Sequence, residues 1–371
     1  PVFVDMLARF VGSGHKVVLI GGNHDREVVF TEVGDVFIET LLERAESLGL
    51  PAKRSQVVVE PWFYHVEGHI YAEHGHQYDW YSTYRYNLHP FYERAGQTYL
   101  ALPMGNLSNR YLLTNIGYFN PHSTEFILSG WGYLKHWLKY YAFTSRMLIF
   151  TYLVGSLRSL GALIGTRRRL LRNPPRNYNA LIEAAGVRNN VKPDVVEDLY
   201  RLKVKPITNR LFKMAREFWL DRLLLALFMT GGTIALALSG APLWVKLMVP
   251  LTGFPLLHFV YEWLAGTDNA LTLEYESHMY AHKIAKRLPV RVVTFGHTHV
   301  PNIIPLSRDV TFANSGTWAP IWGKDGQTLA AGLRNFIQIT IDGANCQLSI
   351  GSWMDLNQSE SESISDDRPA R

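Results

Sequence analysis

The sequence predicts an α/β fold interrupted by a mainly helical insertion, and three observations point to it. Three apolar, strand-like runs each lead into a histidine-bearing loop: VVLI at 17–20 into GGNHDRE at 21–27, HIYA at 69–72 into EHGHQYD at 73–79, and RVVTF at 291–295 into FGHTHVP at 295–301. A helix-period pattern lies between the first two runs, giving the alternation of an α/β domain. Between His76 and His297 lie roughly two hundred residues of aromatic, basic and apolar character, far longer than an ordinary connection within a compact domain.

The elements follow in chain order. Val4, Leu7 and Val11 recur at helical spacing, so the first element reads as a helix with Asp5 on its surface. VVLI is the first strand. DVFIETLLERAESLG places Ile38, Leu41, Leu42, Ala45 and Leu48 on one face, an amphipathic helix ended by Gly49 and Pro51. QVVVE at 56–60 and WFYHV at 62–66 read as strands, and Glu67-Gly68 turns into the strand before EHGHQYD. After the last histidine motif, VTFAN at 310–314, NFIQITI at 335–341 and QLSI at 347–350 read as closing strands. Residues 353–371 are polar and low in complexity, bury too little surface to order themselves, and read as a disordered tail. The domain reading is therefore 1–79 and 285–352 for the α/β domain and 80–284 for the insertion.

The insertion opens with WYSTYRYNLHPFYER, dense in Tyr and Arg. From Leu223 to Val245 no residue is charged. As helix that run is about 34 Å long, enough to cross a hydrocarbon core of about 30 Å. A second apolar stretch follows Lys246, and SGAP at 239–242 supplies a turn between the two. Trp219, Trp244 and Trp263 flank the stretches as interfacial aromatics do, and Arg201, Lys203, Lys205, Arg210, Lys213, Arg216 and Arg222 crowd the entry side. The expectation is a membrane hairpin at 223–264; a buried hairpin inside a cap is the alternative. If His74 and His297 meet at one site, the insertion must cross an even number of times. The apolar stretch 147–166, with Arg158 inside it and Arg167, Arg168, Arg169 and Arg172 behind it, therefore reads as an in-plane segment rather than a third crossing.

A net charge of +5 is modest, and the single cysteine, Cys346, excludes a disulfide framework within the chain. There is no P-loop and no G-x-S-x-G elbow. The chemistry lies in the loops after the strands, where α/β sheets bind ligands. Neutral imidazole is the commonest metal ligand, and Asn or Asp oxygens complement it. Asn23, His74, His297 and His299 thus look like parts of one metal site gathered from three loops. Arg26, Tyr84, Arg85 and Arg94 follow the motifs and could meet a substrate phosphate, although packing explains any one of them as well. His278 and His282 share a helix face with Glu274, an incomplete zinc pattern that helix packing also explains.

GNHD, HGH and GHTH, in that order after strands, resemble the later motifs of the calcineurin-like metallophosphoesterases. The resemblance covers roughly residues 1–79 and 285–350. It implies a four-layer αββα sandwich, two sheets flanked by helices. It implies a cofactor of two divalent metal ions, of Mn, Fe, Zn or Ni, that clamp a phosphoryl group and activate water. Carried over by motif, Asn23, His74 and His297 would bind one ion and His299 the other. His24 would be the non-ligand histidine acting on phosphoryl or leaving-group oxygen, with Asp25 orienting it. His76 would be second shell or substrate-facing, with Arg26 beside it, and Asp79 could orient either histidine of the HGH motif.

The family pattern also has an Asp-x-His and a Gly-Asp motif upstream of GNHD, and neither precedes Asn23 here. The chain is therefore expected to be an N-terminally truncated copy that binds metal poorly as it stands. For the intact protein the resemblance and the insertion together suggest hydrolysis of a lipid-linked phosphoester or pyrophosphate at a membrane, with the catalytic domain on the cytoplasmic face. Basic and aromatic residues accompany apolar runs here, which suits lipid better than nucleic acid. Two other readings stay open: a soluble nucleotide or nucleic-acid phosphodiesterase, and a membrane-bound interaction protein with a vestigial metal site.

Overall fold

The computed structural model describes residues 2–113, 148–265, 273–318, 321–322, 329–330, 334–343 and 345–352. Over these residues the protein is a mixed α/β molecule with several sheets. The proposed tail at 353–371 lies outside them.

The first layer is built as the periodicities require. Helix α1 (Val2–Gly12) buries Ala8 and Val11, and helix α2 (Thr31–Ser47) buries Ile38, Leu41 and Ala45. Both pack on a parallel pair, β1 (Val17–Ile20) and β2 (Val57–Glu60), around Val11, Ile38, Leu41 and Val57. Asp5 sits on the α1 surface, 2.7 Å from Arg44 of α2. Helix α2 ends in a Schellman motif. Gly49, at φ +70°, donates its N–H to Glu46 O, and Leu50 N–H reaches Ala45 O at 3.0 Å.

Strands β3 (Phe63–Val66) and β4 (Ile70–Glu73) form an antiparallel hairpin at one edge of a second sheet. Within the insertion, β5 (Phe91–Arg94) and β6 (Gln97–Leu100) form a two-stranded hairpin that the sequence reading placed in helical territory. Its two-residue turn has Ala95 at φ +50° and Gly96 at φ +75°, the left-handed pair that hairpin twist demands. Ala is an unfavourable residue there, so the turn carries no strong sequence signal.

The helices of the insertion follow: α3 (Met104–Ser108), α4 (Leu148–Arg172), α5 (Tyr178–Arg188), α6 (Pro193–Arg201), α7 (Leu211–Glu217) and α8 (Leu220–Leu238). The expected in-plane segment is α4. Rather than lying wholly on a surface, it buries Leu163 and Leu170, and Leu163 shares a small core with Met104, Leu107, Ile207, Met214 and Phe218. Arg158, Arg168 and Arg172 remain on its exposed side. A turn at 239–242 then leads to α9 (Leu243–Met248), a π-turn at Val249–Gly253 and α10 (Phe254–Ala265).

Two stretches, Leu220–Leu238 and Leu243–Leu264, are long and apolar enough to cross a membrane. The alternative, a hairpin buried inside a cap, is not what these residues adopt. Leu224, Leu227, Phe228, Phe259 and Trp263 are each more than half exposed, and none of α8, α9 or the π-turn buries a residue.

Helix α11 (Leu273–Ala285) returns the chain to the second sheet, followed by β7 (Val292–Phe295), β8 (Asn302–Pro305) and β9 (Thr311–Asn314). The sheet order is β3-β4-β7-β9-β8, with β4, β7 and β9 mutually parallel. The β4-to-β7 crossover is therefore the whole insertion. The largest core packs Phe63, Tyr71, Val293 and Phe312 of this sheet against Ile182 and Leu199 of α5 and α6 and Ile284 of α11. The later strand runs pair as β10 (Ile321–Trp322) with β11 (Leu329–Ala330) and β12 (Asn335–Asp342) with β13 (Asn345–Ser352).

Candidate metal centre

The three histidine loops converge, but they leave two different sheets. The first follows β1 in the parallel pair; the other two follow β4 and β7, adjacent parallel strands of the second sheet. Parallel neighbours end side by side, so their loops meet. His74 O accepts the N–H groups of Gly296 at 3.2 Å and His297 at 3.0 Å, welding the HGH and GHTH loops through the backbone. The rings of His74 and His297 then lie 5.2 Å apart, centroid to centroid.

Asn23 comes in from the other sheet. Its Oδ1 lies 2.8 Å from His74 Nε2. That contact is a hydrogen bond, and it brings both candidate donor atoms to one point. The approach depends on Gly22. A Cβ there would come within 2.7 Å of Asp25 Oδ1 and 3.0 Å of His74 Cε1. Asp25 Oδ1 accepts Gly22 N–H at 2.8 Å and so holds the loop's bend. Burial, reinforced by His297 and His299, drives the His74 pKa well below the usual imidazole value. His74 is thus neutral, the form with a lone pair to give a metal.

The other expected residues fall around this pair. His24 is exposed beside buried Asn23, and both His24 and His299 lie within electrostatic reach of His74. His299 takes φ +62°, an unusual backbone state for a non-glycine residue. Its loop is held by fully buried Asn314 at the end of β9, whose Nδ2 donates to Thr298 Oγ1 at 2.9 Å. His76 is buried, with its ring 5.4 Å from that of His74, and neither ring nitrogen has a hydrogen-bond partner. Burial, then Arg26, keeps it neutral.

Asp79 is a correction to the sequence reading. Its expected partner was a histidine of the HGH motif, yet Asp79 Oδ2 meets Nε2 of His297 at 3.1 Å. Its Oδ1 accepts Tyr81 N–H at 2.7 Å, which turns the carboxylate toward the GHTH loop. Arg26 is fully buried rather than poised at a surface. Its guanidinium donates to Gly21 O at 2.8 Å and to Asn87 O, tying the GNHD loop to the start of the insertion. Burial pushes its pKa down to about 10. Arg85 donates to Asn209 Oδ1. Tyr84 donates its hydroxyl to Asn23 O at 2.9 Å instead of facing a phosphate.

Several supporting residues have no sequence signal. Asn106 Nδ2 donates to Asn23 O at 2.6 Å. Glu73, just before His74, is fully enclosed; its Oε2 accepts from Trp62 Nε1 at 3.1 Å, Tyr71 OH at 2.8 Å and Gln77 Nε2. Burial pushes this carboxyl up to about 7. Glu73 alone was findable in principle, as an acid that closes an apolar strand.

Among the described residues, no three His, Cys, Asp or Glu side chains are gathered tightly enough to form a cation site by themselves. The converging set instead mixes an amide oxygen with imidazoles, and Asp79 is turned to His297 rather than to the centre. The motifs assign Asn23, His74 and His297 to one ion and His299 to a second. No family model, curated protein or solved structure matches the chain.

Proposed function

We propose that the protein is a metal-dependent phosphoester hydrolase of the calcineurin-like metallophosphoesterase type. Its two sheets and flanking helices belong to a four-layer αββα sandwich, and its hairpin seats the catalytic domain on the cytoplasmic face of a membrane. The observation that carries this reading is the meeting of Asn23, His74 and His297 from three loops on two sheets, with His24 and His299 close by.

Asn23, His74 and His297 would hold one divalent ion and His299 would help hold the second; Mn, Fe, Zn and Ni all suit this donor set. When bound, the ions neutralise phosphoryl charge and activate the attacking water. His24, exposed beside Asn23, would donate a proton to the departing oxygen. Asp79 holds the His297 ring in register through Nε2. The substrate is a lipid-linked phosphoester or pyrophosphate, because the residues between the HGH and GHTH loops carry an exposed apolar hairpin. That exposure speaks against the soluble phosphodiesterase, which needs the hairpin packed in a cap. An interaction protein with a vestigial site is the second reading, favoured because no three His, Cys, Asp or Glu side chains among the described residues gather into a cation site.

One experiment separates them. In the full-length protein, His297→Ala is expected to lower Mn²⁺-dependent hydrolysis of an aryl phosphodiester at least a hundredfold, as loss of a ligand does. Retained hydrolysis counts against the site. A wild-type protein with no hydrolysis under any of the four metals supports the vestigial reading.

A further inference from the structure

The insertion is joined to the candidate metal site by more than chain connectivity. Among the described residues, Asn23 is the one candidate ligand that follows the first sheet, and no backbone group of the second sheet bonds to it. Its main-chain carbonyl instead accepts two side-chain donors, Tyr84 OH at 2.9 Å and Asn106 Nδ2 at 2.6 Å. Both donors belong to the insertion. We propose that Tyr84 and Asn106 are positioning residues for Asn23, so that the insertion completes the metal site; this rests on the metal reading above.

Both donors are themselves held. Tyr84 is buried, its N–H donates to Asn87 Oδ1 at 3.1 Å, and its ring lies under the Arg26 guanidinium at 5.8 Å. Asn106 lies on α3, whose neighbours Met104 and Leu107 are buried against Met214 and Phe218, the residues that lead into the hairpin. Gly105 N–H donates to Tyr81 O at 3.1 Å, fastening α3 to the chain just beyond the HGH loop. The segment before the hairpin is fastened to the same place, since Val204 N–H reaches Gln77 O and Ile207 N–H reaches Trp80 O, both at 3.0 Å. The carbonyl that these donors grip belongs to the residue whose Oδ1 faces His74, so its displacement moves the ligand atom directly. Outer contacts of this kind typically change metal affinity ten- to a hundredfold.

The test is Mn²⁺ titration of the full-length protein in detergent, by calorimetry, with thermal unfolding of the metal-free protein beside it. Tyr84→Phe and Asn106→Leu are each expected to raise the Kd for Mn²⁺ about tenfold. Leu163→Ala, which opens the same small core without touching Asn23, is expected to lower the melting temperature but leave the Kd within about twofold. Unchanged Kd values in Tyr84→Phe and Asn106→Leu overturn the proposal while leaving the metal site intact. An equal rise in Leu163→Ala overturns it too, because general loosening then explains the effect. A wild-type protein that binds no Mn²⁺ sinks the metal reading and this one with it.

Discussion

Gly22 occupies the narrowest point of the candidate site. Any Cβ there meets Asp25 Oδ1 and the His74 ring below 3.1 Å, so one of them must move. Gly22→Ala is expected to weaken Mn²⁺ binding about tenfold, read by titration. Gly161→Ala, on a helix with open space around it, is the control and is expected to be neutral or to stabilise by about 0.5–1 kcal/mol. Lys203 makes a separate prediction. Its ammonium donates to Tyr84 O at 3.1 Å, Arg85 O at 2.6 Å and Tyr200 OH at 3.2 Å. Burial, and after it the Arg85 charge, push its pKa down to about 7. An unfolded lysine titrates at about 10.4, so between about pH 7 and 10 the unfolded state carries one proton more than the folded state. Stability contributed by this group therefore rises with pH across that window. Lys203→Met is expected to flatten that rise in thermal unfolding between about pH 7 and 9, and to cost about 1–3 kcal/mol by orphaning the carbonyls.

At the scale of elements, the hairpin carries its own depth marks. At its base Arg222 makes two bonds to Glu262, at 2.7 and 2.8 Å, and Tyr261 donates to Asp221. At its tip Lys246 Nζ donates to Ala237 O at 2.8 Å, covering a helix end. Between these polar ends Leu227 is 59% exposed among the described residues. Leu227→Asp is expected to shift the protein from the membrane to the soluble fraction, since an acid at mid-span costs about 2.5–3.5 kcal/mol. Unchanged fractionation would show that the hairpin is not the anchor. This element was legible because an uncharged run of its length needs no tertiary information. Helix α2 was legible for a similar reason, through its apolar stripe and Gly49. The β5–β6 hairpin was not, because Ala95 stands where Asn or Gly would announce the turn. The packing of α4 was missed because its buried face is narrow and Arg158, Arg168 and Arg172 stand on its exposed side.

For the whole molecule, the candidate ligands were readable as types in loops after strands, whereas their partners were not. Asp79 pairs with His297 across 218 residues, and no local spacing encodes that. Nor does it encode that Asn23 leaves one sheet while His74 and His297 leave another. The join between the HGH and GHTH loops does constrain topology. His74 and His297 share backbone bonds, so the chain leaves and re-enters the α/β domain on one side of any bilayer. The Arg222–Glu262 pair closes the base of the hairpin on that side, and the turn at 239–242 lies at the far end. An α8 of nineteen residues spans about 28 Å, close to the hydrocarbon thickness, so the turn should emerge on the opposite face. Cys346 is the single cysteine of this sequence, which makes this measurable. In a Cys346→Ser background within sealed vesicles, an impermeant thiol reagent is expected to label Ser13→Cys from one side and Gly240→Cys only from the other. Labelling of both from the same side would mean that the hairpin dips into the membrane and returns without crossing it.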